Sequence, residues 1–266
     1  MAEQKKLKAK EKGVLPIKGQ KKQKQTKKET VSAKTRKKTK PEEVWKPKTK
    51  LGKKVKSKEI TDVKQIFDND LKIKEDKIVD VLLPDISSDY ILVGQARGKF
   101  GGGQRRIMRQ TQKKTKAGSK LLFTTLAVVG NRNGYVGVGR GTGKETVPAR
   151  EKAVRKAKLN LIQIGRGCGS WKCTCGEPHS LPFKISGRSG SVRITLKPAP
   201  KGTGLVVPEE IKKILKLAGY QDVWSKATGQ TRQRINLVDA TIKALEKTVT
   251  AKIRKKDSKK IVYGAK

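Results

Sequence analysis

Residues 118–139 read GSKLLFTTLAVVGNRNGYVGVG, and the fold turns on this stretch. Leu122, Thr124, Leu126 and Val128 alternate with Leu121, Phe123, Thr125, Ala127 and Val129, as in a β-strand buried on at least one face. The following NRNG (131–134) ends in an Asn-Gly pair, whose tolerance of positive φ closes a hairpin. Tyr135, Val136 and Val138 return as the partner strand. Thr146 can then cap a helix with Pro148 in its first turn, on which Val147, Val154, Ala157 and Leu161 fall on one side. With Arg106–Lys113 as a first strand, residues 105–165 read as a β-β-β-α unit.

Outward from that unit the chain divides further. Residues 166–250 read as a small βαβα-type α+β domain. Phe183–Ser186 and Ser191–Lys197 are strands around GRSG, and Leu205–Val207 is a short strand. A helix then starts at Pro208, favoured by Glu209 and Glu210 at its positive end and stopped by Gly219. Ile211, Ile214, Leu215 and Ala218 form its buried stripe. After Val223–Trp224 comes a last helix with Val238, Ile242, Leu245 and Val249 on one side. Toward the N-terminus, residues 59–104 hold a mostly helical lead-in (Ile60–Leu83, apolar at Ile78, Val81 and Leu82) and a glycine-rich loop, Gly98–Gly103. The expected class is α+β, with a basic disordered N-terminal extension over 1–58 and a loose basic tail over 251–266.

Composition narrows the function. Across 266 residues, 66 Lys and Arg stand against 23 Asp and Glu, a formal charge of +43. Such a chain repels itself unless a polyanion neutralises it. The segment 1–58 carries 23 of the basic residues and 5 acids; it reads as a solvated tail, as an arm that orders along phosphate, or as a nuclear or nucleolar targeting signal. Between Asp89 and Glu145 there is no acid, while Arg97, Lys99, Arg105, Arg106, Arg109, Lys113, Lys114, Lys116, Lys120, Arg132, Arg140 and Lys144 are all basic. A solvated surface mixes signs, so this run argues for phosphate contact. Lys113–Lys120 is expected as a loop presenting four ammonium groups, with Gly118 allowing close approach. Aromatics make up only 4%, which favours shape and phosphate recognition of structured RNA over base stacking. No run of 18 apolar residues exists, so no membrane span is expected. The start, MAEQKKLKAK, lacks the apolar stretch of a secretory signal.

Two motifs invite chemistry. GVGRGTGK (137–144) fails as a nucleotide-binding loop: Val138 stands five residues before Gly143, and Glu145 replaces the Ser or Thr that would hold Mg²⁺. Its glycines read instead as allowing close approach to a backbone, of RNA or of protein. Cys168, Cys173, Cys175 and His179 form C-x4-C-x-C-x3-H. Reduced, packed thiols are the reading that the tight C-x-C spacing favours, with structural zinc as the alternative. The chain's one His gives little scope for catalysis, and nothing near it orients a triad. Three cysteines give no disulfide framework and fit a reducing compartment.

The segment 118–139 closely resembles the hallmark of the small-subunit ribosomal protein family called "S five". RGCGSWKCTCGEPHSLP (166–182), GSVR (190–193) and LKPAPKGTGL (196–205) are similar to its archaeal branch, with the motifs in the family's order over roughly 66–250. The resemblance implies a first domain like double-stranded-RNA-binding folds and a second of the family's own α+β type. It implies a non-enzymatic constituent of the cytoplasmic ribosome. Its partners would be small-subunit ribosomal RNA, neighbouring small-subunit ribosomal proteins and messenger RNA in the channel through which it enters. Roles in assembly and translational accuracy follow from the same resemblance. The family's RNA-touching loop maps onto Lys113–Lys120. The tail 1–58 and the basic approach Ile91–Met108 depart from the family's shortest members.

Overall fold

The computed structural model describes residues 45–95, 105–253 and 261–264. Arg97, Lys99, the run Gly98–Gly103 and residues 1–44 lie outside the described residues. In chain order come helices α1 (Lys50–Lys56), α2 (Val63–Asp68) and α3 (Asp76–Leu82), then strands β1 (Ser87–Ile91), β2 (Arg109–Thr115), β3 (Gly118–Gly130) and β4 (Tyr135–Gly143). Helix α4 (Thr146–Leu159), β5 (Leu161–Gln163) and β6 (Gly165–Arg166) follow. The C-terminal part has β7 (Ile185–Ser189), β8 (Val192–Pro198), β9 (Leu205–Val206), α5 (Glu209–Ala218), β10 (Val223–Thr228), α6 (Arg234–Thr250) and β11 (Val262–Tyr263).

β3 is the spine of a five-stranded antiparallel sheet. β4 pairs with its residues 123–130, and β5 extends the sheet beyond β4. Along the other edge two strands share β3 end to end: β1 against residues 126–130 and β2 against residues 118–124. The β-β-β-α order expected from the sequence is present as β2-β3-β4-α4. Its first strand begins at Arg109 rather than Arg106, and β1 and β5 complete the sheet. The Asn-Gly turn forms as read: the Asn131 side-chain Oδ1 accepts from the N–H of Asn133 (2.9 Å) and of Tyr135 (3.2 Å), with Arg132 and Gly134 at φ 60° and 99°.

α4 lies nearly on the backbone of β4. A Cβ on Gly139 would sit 2.1 Å from the Ala157 nitrogen and 2.3 Å from the Ala153 oxygen, and one on Gly141 would sit 2.2 Å from the Ala149 oxygen. Alternate strand positions therefore meet Ala149, Ala153 and Ala157, which are fully buried at helical spacing of four. This corrects the expected helix face: Val147 is 59% exposed, because small residues and not β-branched ones fit so close a crossing. The helix also starts without a hydroxyl cap, with Glu145 before it and Thr146 as its first residue.

In the C-terminal part β7, β8, β10 and β9 form one sheet in that order. The β9-α5-β10-α6 run is the expected βαβα, with β9 and β10 parallel and the β7–β8 hairpin added before it. Ile211, Ile214, Leu215 and Ala218 are all fully buried, and Gly219 ends α5 in the left-handed region at φ 91°. The α6 stripe is half as expected: Val238 and Leu245 are buried, but Val249 is exposed and Ala240, Thr241 and Ala244 take its share. The two parts share one apolar core. Leu126, Val128 and Val136 of the first sheet belong to the same cluster as Ile194, Ile214 and Leu237. α5 docks end-on to the β3–β4 turn, where the Arg132 N–H donates to the Leu217 oxygen at 2.8 Å.

The basic extension does not reach residue 58 as an unstructured segment. Val55 packs with Ile66 and Ile78, supported by Trp45 and Leu51. Thr49 caps α1 by accepting from the Gly52 N–H at 3.0 Å. The Glu75 carboxylate accepts from the Trp45 indole (2.9 Å) and the Lys48 and Thr49 N–H groups (2.9 and 2.6 Å). Partial burial pushes this carboxyl up, but those bonds together hold it below the usual range. In α3 it is Val79, not Val81, that is buried beside Ile78. Val79 joins Val63 and Leu83 around Tyr135 and Leu161 of the first sheet. At the other end, Val262 and Tyr263 pair with Arg166 and Gly165, so part of the expected loose tail is a strand.

Candidate nucleic-acid interface and cysteine cluster

Lys113–Lys120 is not a loop. It is the outer end of a hairpin in which β2 and β3 pair up to Thr115 and Gly118, leaving only Lys116 and Ala117 at the tip. Gly118 adopts φ 106° with nothing within 4 Å of its missing Cβ, so the turn, not a close neighbour, demands glycine there. Residues 118–122 of β3 pair with β2 alone, so the arm stands free for about 17 Å at roughly 3.4 Å per residue. Nearly all its side chains are exposed. Lys113 and Lys120 lie directly opposite each other, an arrangement that destabilises a strand pair in water. By strand alternation Arg109 shares their face and Lys114 points from the other.

The remaining basic residues separate. Lys144 follows Gly143, which pairs with Phe123 at the arm's base. Arg105 and Arg109 line a cleft of about 200 Å³ together with Arg232 and Arg234. The β10–α6 loop that brings Arg232 was missed from sequence, because over 120 positions separate it from Arg109. Arg234 is already engaged by the buried Glu210. Arg106 is exposed, and its carbonyl holds the Gly94 N–H at 2.8 Å. Arg140 is exposed on β4 within electrostatic reach of Asp239, whose carboxyl burial pushes up while Lys243 and Arg140 oppose the rise. Arg132 departs from the expected set most clearly. It sits at the far end of β3, roughly 40 Å from the tip at about 3.4 Å per residue, in the turn that receives α5.

The cysteines converge. Cys168, Cys173, Cys175 and His179 each offer one donor atom, and all four atoms lie within 4.8 Å of one another. Cys173 Sγ is 3.2 Å from Cys175 Sγ and 3.6 Å from His179 Nε2, and Cys175 Sγ is 3.7 Å from Cys168 Sγ. The loop is closed at its base by the Gly167–Ser180 bridge. His179 is buried, its carbonyl accepts from the Gln221 and Asp222 N–H groups, and its Nδ1 meets Asp222 Oδ2 at 2.7 Å. Asp222, unseen from sequence because it lies 43 residues away, is thus the group that orients the ring. The other Asp222 oxygen accepts from the Gly204 N–H at 2.7 Å. Backbone hydrogen bonds from Cys175 and Lys201 pull the Cys173 thiol down to about 6. Burial and its two neighbours push the Cys168 thiol up to about 11.

The glycine motif is settled by the α4 crossing. The backbone that Gly137, Gly139 and Gly141 approach is the helix of the same chain. No helix of the described residues is long and apolar enough to cross a membrane.

Comparison with known proteins gives concordant matches. Residues 107–165 match the family model for ribosomal protein S5, N-terminal domain, and residues 187–258 that for ribosomal protein S5, C-terminal domain. The chain is 47% identical over 192 residues to the small ribosomal subunit protein uS5 of Nanoarchaeum equitans, covering 72% of this chain and 82% of that protein. It is 46% identical over 194 residues to the protein of the same name from Picrophilus torridus (73% and 81%). For Staphylothermus marinus the identity is 45% over 186 residues (70% and 80%).

Proposed function

The chain belongs to the ribosomal protein S5 family, and on that premise we propose that it is a structural constituent of the small ribosomal subunit whose β2–β3 arm grips ribosomal RNA. The observation that carries this reading is the arm itself: a free-standing hairpin with opposed lysines and no acid. An isolated two-stranded ribbon is marginal in water, and Lys113 opposite Lys120 makes it worse. Phosphate between those ammonium groups reverses the sign of the interaction.

The work is positional and makes no bond. Lys113, Lys114, Lys116 and Lys120 bind phosphates along the arm, Lys144 at its base, and Arg105 and Arg109 at its root with Arg232. A β-β-β-α run with basic groups on a strand pair suits a backbone-reading mode of the kind used on RNA duplexes. Arg106 and Arg140, exposed beside this track, extend it; Arg132 serves a different surface. The continuous core between the two parts fixes the base from which the arm projects, which supports a role beside the path of messenger RNA, in subunit assembly and in decoding accuracy. Neighbouring ribosomal proteins are the partners expected for the C-terminal part.

Sedimentation of salt-washed particles tests the proposal. The chain is expected to stay with the small subunit, one copy each, through moderate salt. Its release into the soluble fraction would instead identify a free RNA-binding factor.

A further inference from the structure

We propose that Cys168, Cys173, Cys175 and His179 bind one structural Zn²⁺, with Asp222 orienting the histidine. This site is independent of the RNA-binding reading. Zinc bonded to sulfur at about 2.3 Å and to nitrogen at about 2.05 Å sets tetrahedral edges near 3.8 Å for S···S and 3.6 Å for S···N. The Cys175–Cys168 separation of 3.7 Å and the Cys173–His179 separation of 3.6 Å match those edges. The Cys173–Cys175 pair, at 3.2 Å, needs to open by roughly half an ångström on the same geometry; Cys175 is exposed and has room to do so.

The histidine is prepared for ligation. A carboxylate on Nδ1 holds Nε2 toward the sulfurs, the outer-shell arrangement that fixes metal-binding imidazoles. Asp222 and His179 are both 3% exposed, so this pair is built in and not a surface accident. A metal also gives the loop a centre. Residues 168–178 contribute no buried side chain, and Trp171 at the outer bend is fully exposed. These eleven residues have no core of their own and are held by the base bridge, the Gly169 N–H on the Leu181 oxygen at 3.1 Å and the Lys201–Glu177 ion pair at 2.7 Å, none of which fixes the three sulfurs. Zinc supplies that centre and makes the segment a rigid display for Trp171.

A Cys173–His179–Asp222 hydrolytic triad is the competing use of the same atoms. It leaves Cys168 and Cys175 without a purpose, whereas a metal uses all four donors. The two readings separate experimentally in the full-length reduced protein. Metal analysis after reconstitution with Zn²⁺ and gel filtration is expected to give one zinc per chain, with all three thiols protected from a thiol reagent until a chelator is added. Co²⁺ in its place should give the intense visible bands of tetrahedral thiolate ligation. The Asp222→Asn variant should weaken zinc by 10–100-fold in chelator competition. Cys175→Ser, at an exposed position that leaves the core intact, should abolish stoichiometric retention while far-ultraviolet circular dichroism stays unchanged. A chain that retains no zinc, or whose thiols react equally with and without it, overturns the proposal. So does a single fast-reacting Cys173 beside two inert thiols, which would indicate the triad.

Discussion

At the scale of single residues, Gly139 shows how a sequence motif misleads. Its neighbourhood resembles a phosphate loop, yet its missing side chain is occupied by the backbone of Ala153 and Ala157. Gly139→Ala has no flexible partner to displace, so it should cost about 3 kcal/mol or more. Gly118→Ala faces only a φ penalty of roughly 1 kcal/mol. Thermal melting of the two variants checks this: a Gly139→Ala midpoint as high as that of Gly118→Ala would refute the close crossing. The NRNG turn and the α5 stripe were legible because each rests on neighbours a few positions apart. The α4 face was not. Helical periodicity picks out Val147 and Val154, and it carries no information that the opposing strand has glycine at every second position. Asp222 and Arg232 were invisible for a related reason, since each acts on a residue that only the tertiary fold brings close.

Among the elements, the β2–β3 arm concentrates the chemistry. Composition singles out its lysines and the element order places a strand over Arg106–Lys113, but the continuation of the pair to Thr115 and Gly118 is hidden because RQTQKKT has no apolar alternation to reveal it. Exposure on both faces removes the signal on which strand reading depends. β1 escaped notice for the same reason: SSDYI is largely polar and buries only Ile91 fully. Replacing Lys113, Lys114, Lys116 and Lys120 by Gln should weaken RNA binding. It should also reduce the slope of log affinity against log salt by about 0.7–0.9 for each phosphate no longer neutralised. The same substitution should raise the free protein's melting midpoint slightly, because it removes the opposed Lys113–Lys120 pair. An unchanged salt slope would clear the arm of this role.

For the whole molecule, the boundary of the folded part is the main revision. Residues 45–58 looked like the rest of a lysine-rich tail, because the surrounding lysines mask the two apolar anchors Leu51 and Val55. Truncation separates the segments. Removing 1–44 should leave the cooperative melt in place. Removing 1–58 strips Trp45 and Thr49 from Glu75 and Val55 from Ile66, and should lower the midpoint by several degrees. Equal midpoints for the two truncations would show that α1 contributes nothing.

The strand β11 has a kinetic corollary. It ties residues 262–263 to 165–166, while Gly165 also accepts from the Tyr220 hydroxyl and donates to Thr248. The joint between the two halves is therefore assembled from pieces synthesised nearly a hundred positions apart. A nascent chain can complete its first sheet early, but it must wait for residue 263 before this clasp can fasten. Newly made copies thus pass through a stage in which the shared core already joins the two parts while this last strand is still missing.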